Sequence, residues 1–84
     1  MRPALRIHPA DDLIVALRHL KTGEVVPVDG TSFAITEPVP AKQKFAAHDF
    51  ATGDCATMYG VTVGRALQPI RAGGLVSTAN LKHA

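Results

Sequence analysis

The sequence predicts an all-β domain of short strands joined by tight turns. Three observations carry this reading: an ungapped repeat of apolar and glycine positions, an Asp-Gly pair between two runs of branched residues, and two prolines mid-chain that oppose helix. In the repeat, alanine is followed at fixed spacing by a large apolar residue, a glycine and a small or branched apolar residue. Ala16, Leu20, Gly23 and Val26 form one copy, Ala46, Phe50, Gly53 and Ala56 a second, and Ala66, Ile70, Gly73 and Val76 a third. Val39, Lys42 and Phe45 give a partial fourth, with lysine in the glycine place.

Each copy reads as a strand ending at the alanine, a corner that tucks the large side chain under the domain, and a glycine at positive φ before the next strand. Leu20, Phe50 and Ile70 are then equivalent buried positions. Amphipathic helices are the alternative, since Leu13, Ala16, Leu17 and Leu20 also fit a 3.6-residue period. Against them, the segments between punctuating residues are short and valine-rich stretches follow the glycines.

In chain order, Leu5–His8 reads as a strand stopped by Pro9, and Ala10-Asp11-Asp12 as a polar turn. Glu24–Val28 and Thr31–Thr36 pair through a two-residue hairpin turn at Asp29-Gly30. Pro38 and Pro40 keep Glu37–Ala41 extended and remove two ladder donors, so this segment runs along an edge or crosses between sheets. Tyr59-Gly60 marks another turn before a half-buried strand, Val61–Ala66. The total is one barrel-like domain over 1–84, with no linker visible.

Composition narrows the function. Nine basic and seven acidic residues give a net charge of +2 with no Lys/Arg run, which argues against a nucleic-acid partner. The lone Cys55 excludes an internal disulfide and fits a reducing cytosol. The apolar run from Leu13 to Leu17 is too short for a signal core or a membrane span, so a soluble cytoplasmic protein is expected. There is no Gly-rich phosphate loop, cysteine pair, His pair at metal-ligand helical spacing or nucleophile elbow. Ser32, Ser77 and Cys55 lack an activating sequence context and read as structural.

Polar residues gather at predicted strand ends instead: His8, Lys42, Gln43, Lys44, His48, Asp49 and Tyr59. Lys42 and Lys44 suit a carboxylate ligand by point charge, or equally protect an edge strand from aggregation. Lys44 is the better ligand candidate because Phe45 beside it anchors its direction. Asp49 reads as a cap for the turn before Gly53. Lys21, Glu24 and Arg71 read as solvated bystanders.

Several segments, in order, resemble the N-terminal SAF-type domain of altronate and galactarate dehydratases. They are Ile7-His8-Pro9-Ala10-Asp11-Asp12 with Val15-Ala16-Leu17, Lys44-Phe45-Ala46 with Asp49, Met58-Tyr59-Gly60 with Gly64 and Ala66, and Ile70, Gly73 and Asn80. The resemblance implies a β-clip fold that assists substrate binding beside a separate catalytic dehydratase domain, in cis or in trans. It implies a hexonate sugar acid as substrate, with D-altronate dehydrated to 2-dehydro-3-deoxy-D-gluconate. It further implies Fe²⁺ or a similar divalent metal in the full-length enzyme, with none expected in this domain alone. Lys44, Tyr59, Asn80 and His83 are the expected substrate-side residues. Many relatives carry His where Gln43 stands and a His-x-His-Asn tail where Ser77, Thr78, Ala79 and Asn80 stand, so a metal role for those tail positions is lost here. The alternatives are a small subunit like that of a sulfolactate sulfo-lyase, and a non-catalytic SAF binding module.

Overall fold

The computed structural model describes residues 2–83; Met1 and Ala84, the ends of the expected 1–84 domain, lie outside them. Among the described residues nine strands follow one another: β1 (Ala4–Leu5), β2 (Leu13–Ala16), β3 (Val25–Val28), β4 (Thr31–Ala34), β5 (Lys44–Ala46), β6 (Cys55–Met58), β7 (Val61–Ala66), β8 (Leu75–Val76) and β9 (Leu81–His83). They form three antiparallel sheets, ordered β1-β2-β5-β8, β3-β4 and β6-β7-β9. No helix occurs among the described residues, so the amphipathic-helix alternative is excluded. The fold is all-β, as the repeat predicts.

The repeated corners account for the architecture. Leu20, Val39, Phe50 and Ile70, the large residue of each copy, are all buried. They meet in pairs: Leu20 and Val39 exchange backbone bonds of 2.9 and 3.0 Å, and Phe50 and Ile70 exchange bonds of 2.7 and 3.0 Å. At the glycine place of each copy, φ is positive at Gly23, Lys42, Gly53 and Gly73. The amide there donates to the strand-end carbonyl of the paired corner: Gly23 to Ile35, Lys42 to Ala16, Gly53 to Ala66 and Gly73 to Ala46, all within 2.7–2.8 Å. The four corners are therefore two reciprocal pairs. The sequence repeat reveals the corner but not its mate.

Gly73 is the most constrained of these positions, because a side chain there would also strike the backbone carbonyl of Ala34. Lys42 occupies the same conformation with φ at 71°. A left-handed conformation costs a non-glycine residue about 1–2 kcal/mol, partly offset by the greater unfolded-state freedom of glycine. Lys42→Gly is thus expected to stabilise the domain by about 0.5–1 kcal/mol, measured as a rise in the urea midpoint. A fall would mean that the lysine side chain contributes more than its backbone strain removes.

Alternation along β2 and β5 divides the interior in two. Ile14 and Phe45 face one apolar cluster with Ala16, Leu20, Val26, Phe33 and Ile35. Their neighbours Leu13 and Ala46 face the other, with Phe50, Ala56, Met58, Ala66 and Leu81. The β3–β4 hairpin covers the first cluster and the β6-β7-β9 sheet the second. The hairpin has the expected turn, with φ of 49° at Asp29 and 82° at Gly30. Strand β7 spans the predicted residues, and its buried positions are Gly64 and Ala66.

Three segments differ from the sequence reading. The strand expected over Leu5–His8 ends at Leu5, because His8 N–H is taken by the Asp11 carboxylate at 3.0 Å and Asp11 N–H closes back on His8 carbonyl at 2.9 Å. The strand expected to reach Thr36 ends at Ala34: the Ile35 amide still meets the Glu24 carbonyl in register, but the Thr36 amide turns to the carbonyl of Gly73. Residues 37–41 cross between the hairpin and the four-stranded sheet, with Val39 as their bridging residue.

Candidate functional site

A recess of about 170 Å³ opens where β5 and β9 approach, lined by Gln43, Lys44, Ser77, Thr78 and His83 together with apolar Val76 and Leu81. Lys44 reaches it from β5, where it pairs with Val15 on one side and Val76 on the other and is half-buried. His83 reaches it from β9, where it lies opposite Gly64. A Cβ at Gly64 would stand 2.5 Å from the carbonyl oxygen of Lys82, so glycine is what allows β9 to lie this close. The recess thus joins a lysine, an imidazole, an amide and two hydroxyl residues. That chemistry suits an anionic, hydroxyl-bearing ligand.

Of the four expected substrate-side residues, the structure brings Lys44 and His83 together. Asn80 lies at the base of the same turn with its side chain committed to backbone: its Oδ1 accepts from Ser77 N–H at 2.9 Å and its Nδ2 donates to Leu75 carbonyl at 2.8 Å. It shapes the turn that carries Ser77 and Thr78. Tyr59 is elsewhere, at the β6–β7 tip, with φ of 57° and an exposed side chain.

Two other assignments change. Asp49 does not cap its own corner: its Oδ1 accepts from Ala72 N–H at 2.9 Å, in the paired corner. The cap before Gly53 is Asp54, which accepts from Ala51 N–H at 2.8 Å. Glu24 is no bystander, since it caps the equivalent Lys21 amide at 3.1 Å and pairs with both Arg18 terminal nitrogens. The Arg18 guanidinium, helped by the Lys21 amide, pulls the Glu24 carboxyl down to about 2.

Sequence reasoning missed a polar network built on Asp11 and Asp12. Asp11 is the buried charged residue of the domain's described part. Burial works to raise its carboxyl, but amide bonds from Gly60, Tyr59 and His8 outweigh it and hold the group below its ordinary 3.8. Asp12 accepts from Thr57 N–H through Oδ2 and meets His48 Nε2 at 3.0 Å through Oδ1. The signal available in the sequence was the Asp pair itself, and it points to a turn just as well.

The donors in the recess do not fit a divalent metal. His83 is its one imidazole and stands beside an ammonium group, and no group of three or more His, Cys, Asp or Glu residues able to hold an ion occurs among the described residues.

Comparison with known proteins gives the family. Residues 2–84 match the family described as the altronate/galactarate dehydratase SAF domain. The chain is 36% identical over 78 residues to an altronate dehydratase of Escherichia coli, covering 93% of this chain and 16% of that protein. It is 28% identical over 82 residues to an altronate dehydratase of Bacillus subtilis, covering 98% of this chain and again 16% of the relative. Against (2R)-sulfolactate sulfo-lyase subunit alpha of Chromohalobacter salexigens it is 32% identical, covering 90% of this chain and 89% of that subunit. The chain spans about one sixth of the altronate dehydratases it matches and nearly the whole of the sulfo-lyase subunit. With the match running over residues 2–84, this chain belongs to the SAF domain family of altronate and galactarate dehydratases.

Proposed function

We propose that this domain serves a hydro-lyase of the altronate dehydratase type, holding the acid end of a hexonate while a separate catalytic domain removes water. The observation that carries the reading is the shared recess of Lys44 and His83, flanked by Gln43, Ser77 and Thr78. In this role the Lys44 ammonium faces the substrate carboxylate, where charge grows as the neighbouring carbon loses its proton and the β-hydroxyl departs. The amide and hydroxyl side chains orient the sugar-acid hydroxyls. Asn80 keeps the 77–80 turn in place, and Tyr59, exposed at the β6–β7 tip, stands outside this recess. Fe²⁺ or a similar ion, where the enzyme uses one, belongs to the catalytic domain.

In the complete enzyme, Lys44→Ala is expected to lower turnover of D-altronate about tenfold, equivalent to about 1.4 kcal/mol of transition-state stabilisation, with unchanged thermal unfolding. Lys21→Ala, remote from the recess, is the control. Full activity in both variants would remove the lysine from the pocket. The 84-residue chain alone is expected to be inactive. A second reading is favoured by the length match to the sulfo-lyase subunit alpha: a separately encoded subunit acting with a large partner. Assaying the reconstituted enzyme with (2R)-sulfolactate beside D-altronate separates the two.

A further inference from the structure

His48 lies outside the recess and takes no part in the proposed substrate contact. Its Nδ1 stands 2.9 Å from the carbonyl oxygen of Asp49, and its Nε2 stands 3.0 Å from Oδ1 of Asp12. Both oxygens are acceptors, so both contacts are hydrogen bonds only when both ring nitrogens carry protons. A neutral ring has one proton and must turn one lone pair toward an oxygen. The ring is also fixed in orientation, stacked on Phe50 with centroids 4.5 Å apart and planes 22° apart. Phe50 is itself buried in the second apolar cluster, so the face on which the His48 ring stacks is fixed, while the ring's other side is open to solvent.

We infer that His48 is a proton-operated clasp, closed as the imidazolium and loosened by deprotonation, that fastens the 9–12 loop to the corner beginning at Asp49. The two ends of the clasp are distant in sequence but already adjacent through backbone bonds: Ala47 N–H donates to Asp12 carbonyl at 2.8 Å and Asp12 N–H to Thr57 carbonyl at 2.9 Å. Opening therefore loosens this junction without detaching it. The Asp12 carboxylate is shared, because its other oxygen holds the Thr57 amide at 3.0 Å. Releasing His48 thus frees Asp12 to shift and weakens the seam between the loop and β6.

The charged groups acting on the ring are carboxylates from two segments. Asp12 comes from the 9–12 loop and Asp54 from the corner, where it accepts the Ala51 amide; Asp49 acts on the ring through its backbone carbonyl, its carboxylate being taken by the Ala72 amide. The Asp49 carbonyl bond raises the imidazole above its ordinary 6.5; burial opposes it, and the Asp12 carboxylate and the charge of Asp54 add to the rise. A raised value stabilises the folded state fully below the unfolded-state pKa, and the contribution is lost as pH rises through the folded one. The clasp is therefore closed in mildly acid solution, below 6.5, and opens as pH rises through the raised value.

The test is a long-range ¹H–¹⁵N spectrum of the 84-residue chain followed across pH. Both His48 ring nitrogens are expected to be protonated in acid solution, with a midpoint above 6.5 that moves down in Asp12→Asn. Exchange of the Ala47 and Thr57 amides should quicken several-fold beyond the intrinsic base-catalysed increase as His48 deprotonates, and His48→Gln should abolish that step. The wild-type titration decides the matter even if a variant folds poorly. A His48 midpoint at or below 6.5, or amide protection following the same pH course in wild type and His48→Gln, overturns the inference.

Discussion

Phe50→Ala is expected to destabilise the domain by about 3–5 kcal/mol, the usual cost of removing a buried phenylalanine. The side chain is 3% exposed, occupies the large apolar place of its corner, and carries the His48 ring on its face. Its backbone is simultaneously one half of the bridge to Ile70, so a collapse into the vacated space would have to move the paired corner as well. Little relaxation is available, which puts the loss toward the upper end of the range. Small domains have a total stability of about 5–15 kcal/mol, so the variant would be partly unfolded at ordinary temperature. Urea unfolding measures this as a lower midpoint with an unchanged slope. A loss below about 1 kcal/mol would show that the corners do not depend on their apolar anchors.

Asp11→Ala is expected to be nearly as damaging, at about 2–4 kcal/mol, because it strands the His8 and Gly60 amides that the carboxylate satisfies at 3.0 Å. Asp11→Asn should cost less, since it keeps one carbonyl acceptor. The pH course identifies the cause. A carboxyl held below its ordinary 3.8 contributes fully above that value and loses its contribution as pH falls through the depressed one. Wild-type stability should therefore fall more steeply than that of Asp11→Ala below pH 3.8. Glu24 acts in the same acid window, its contribution fading between 4.5 and about 2. Salt separates them: the exposed Arg18–Glu24 pair is screened, whereas the amide bonds to buried Asp11 persist.

What the sequence made legible was what depends on near neighbours. The Asp29-Gly30 turn, the extent of Val61–Ala66 and the buried places of Leu20, Phe50 and Ile70 follow from local chemistry and a repeated spacing. The strand drawn through Ile7 and His8 was too long because its competitor is a side chain, Asp11, whose other partner at Gly60 is far along the chain. For the same reason Asp12 and His48 looked like an ordinary turn residue and an ordinary surface histidine. Asn80 was assigned to ligand contact, yet its amide is spent on Ser77 and Leu75. The meeting of Lys44 with His83 rests on β8 and β9 lying beside β5 and β7, which no periodicity encodes.

The reciprocal corners also bear on how the molecule comes apart. One pair closes within residues 16–45 and the other within 46–76, and each encloses its own apolar cluster. Such an arrangement invites two independent melting units. The seam between them, however, runs through the paired strands β2 and β5: Ile14 and Phe45 belong to one cluster and their neighbours Leu13 and Ala46 to the other. Loosening either half pulls on the backbone that seats the other, so neither gains chain entropy alone. Heating should produce one cooperative transition, with the amides of both halves becoming exchangeable together and calorimetric and van't Hoff enthalpies in agreement.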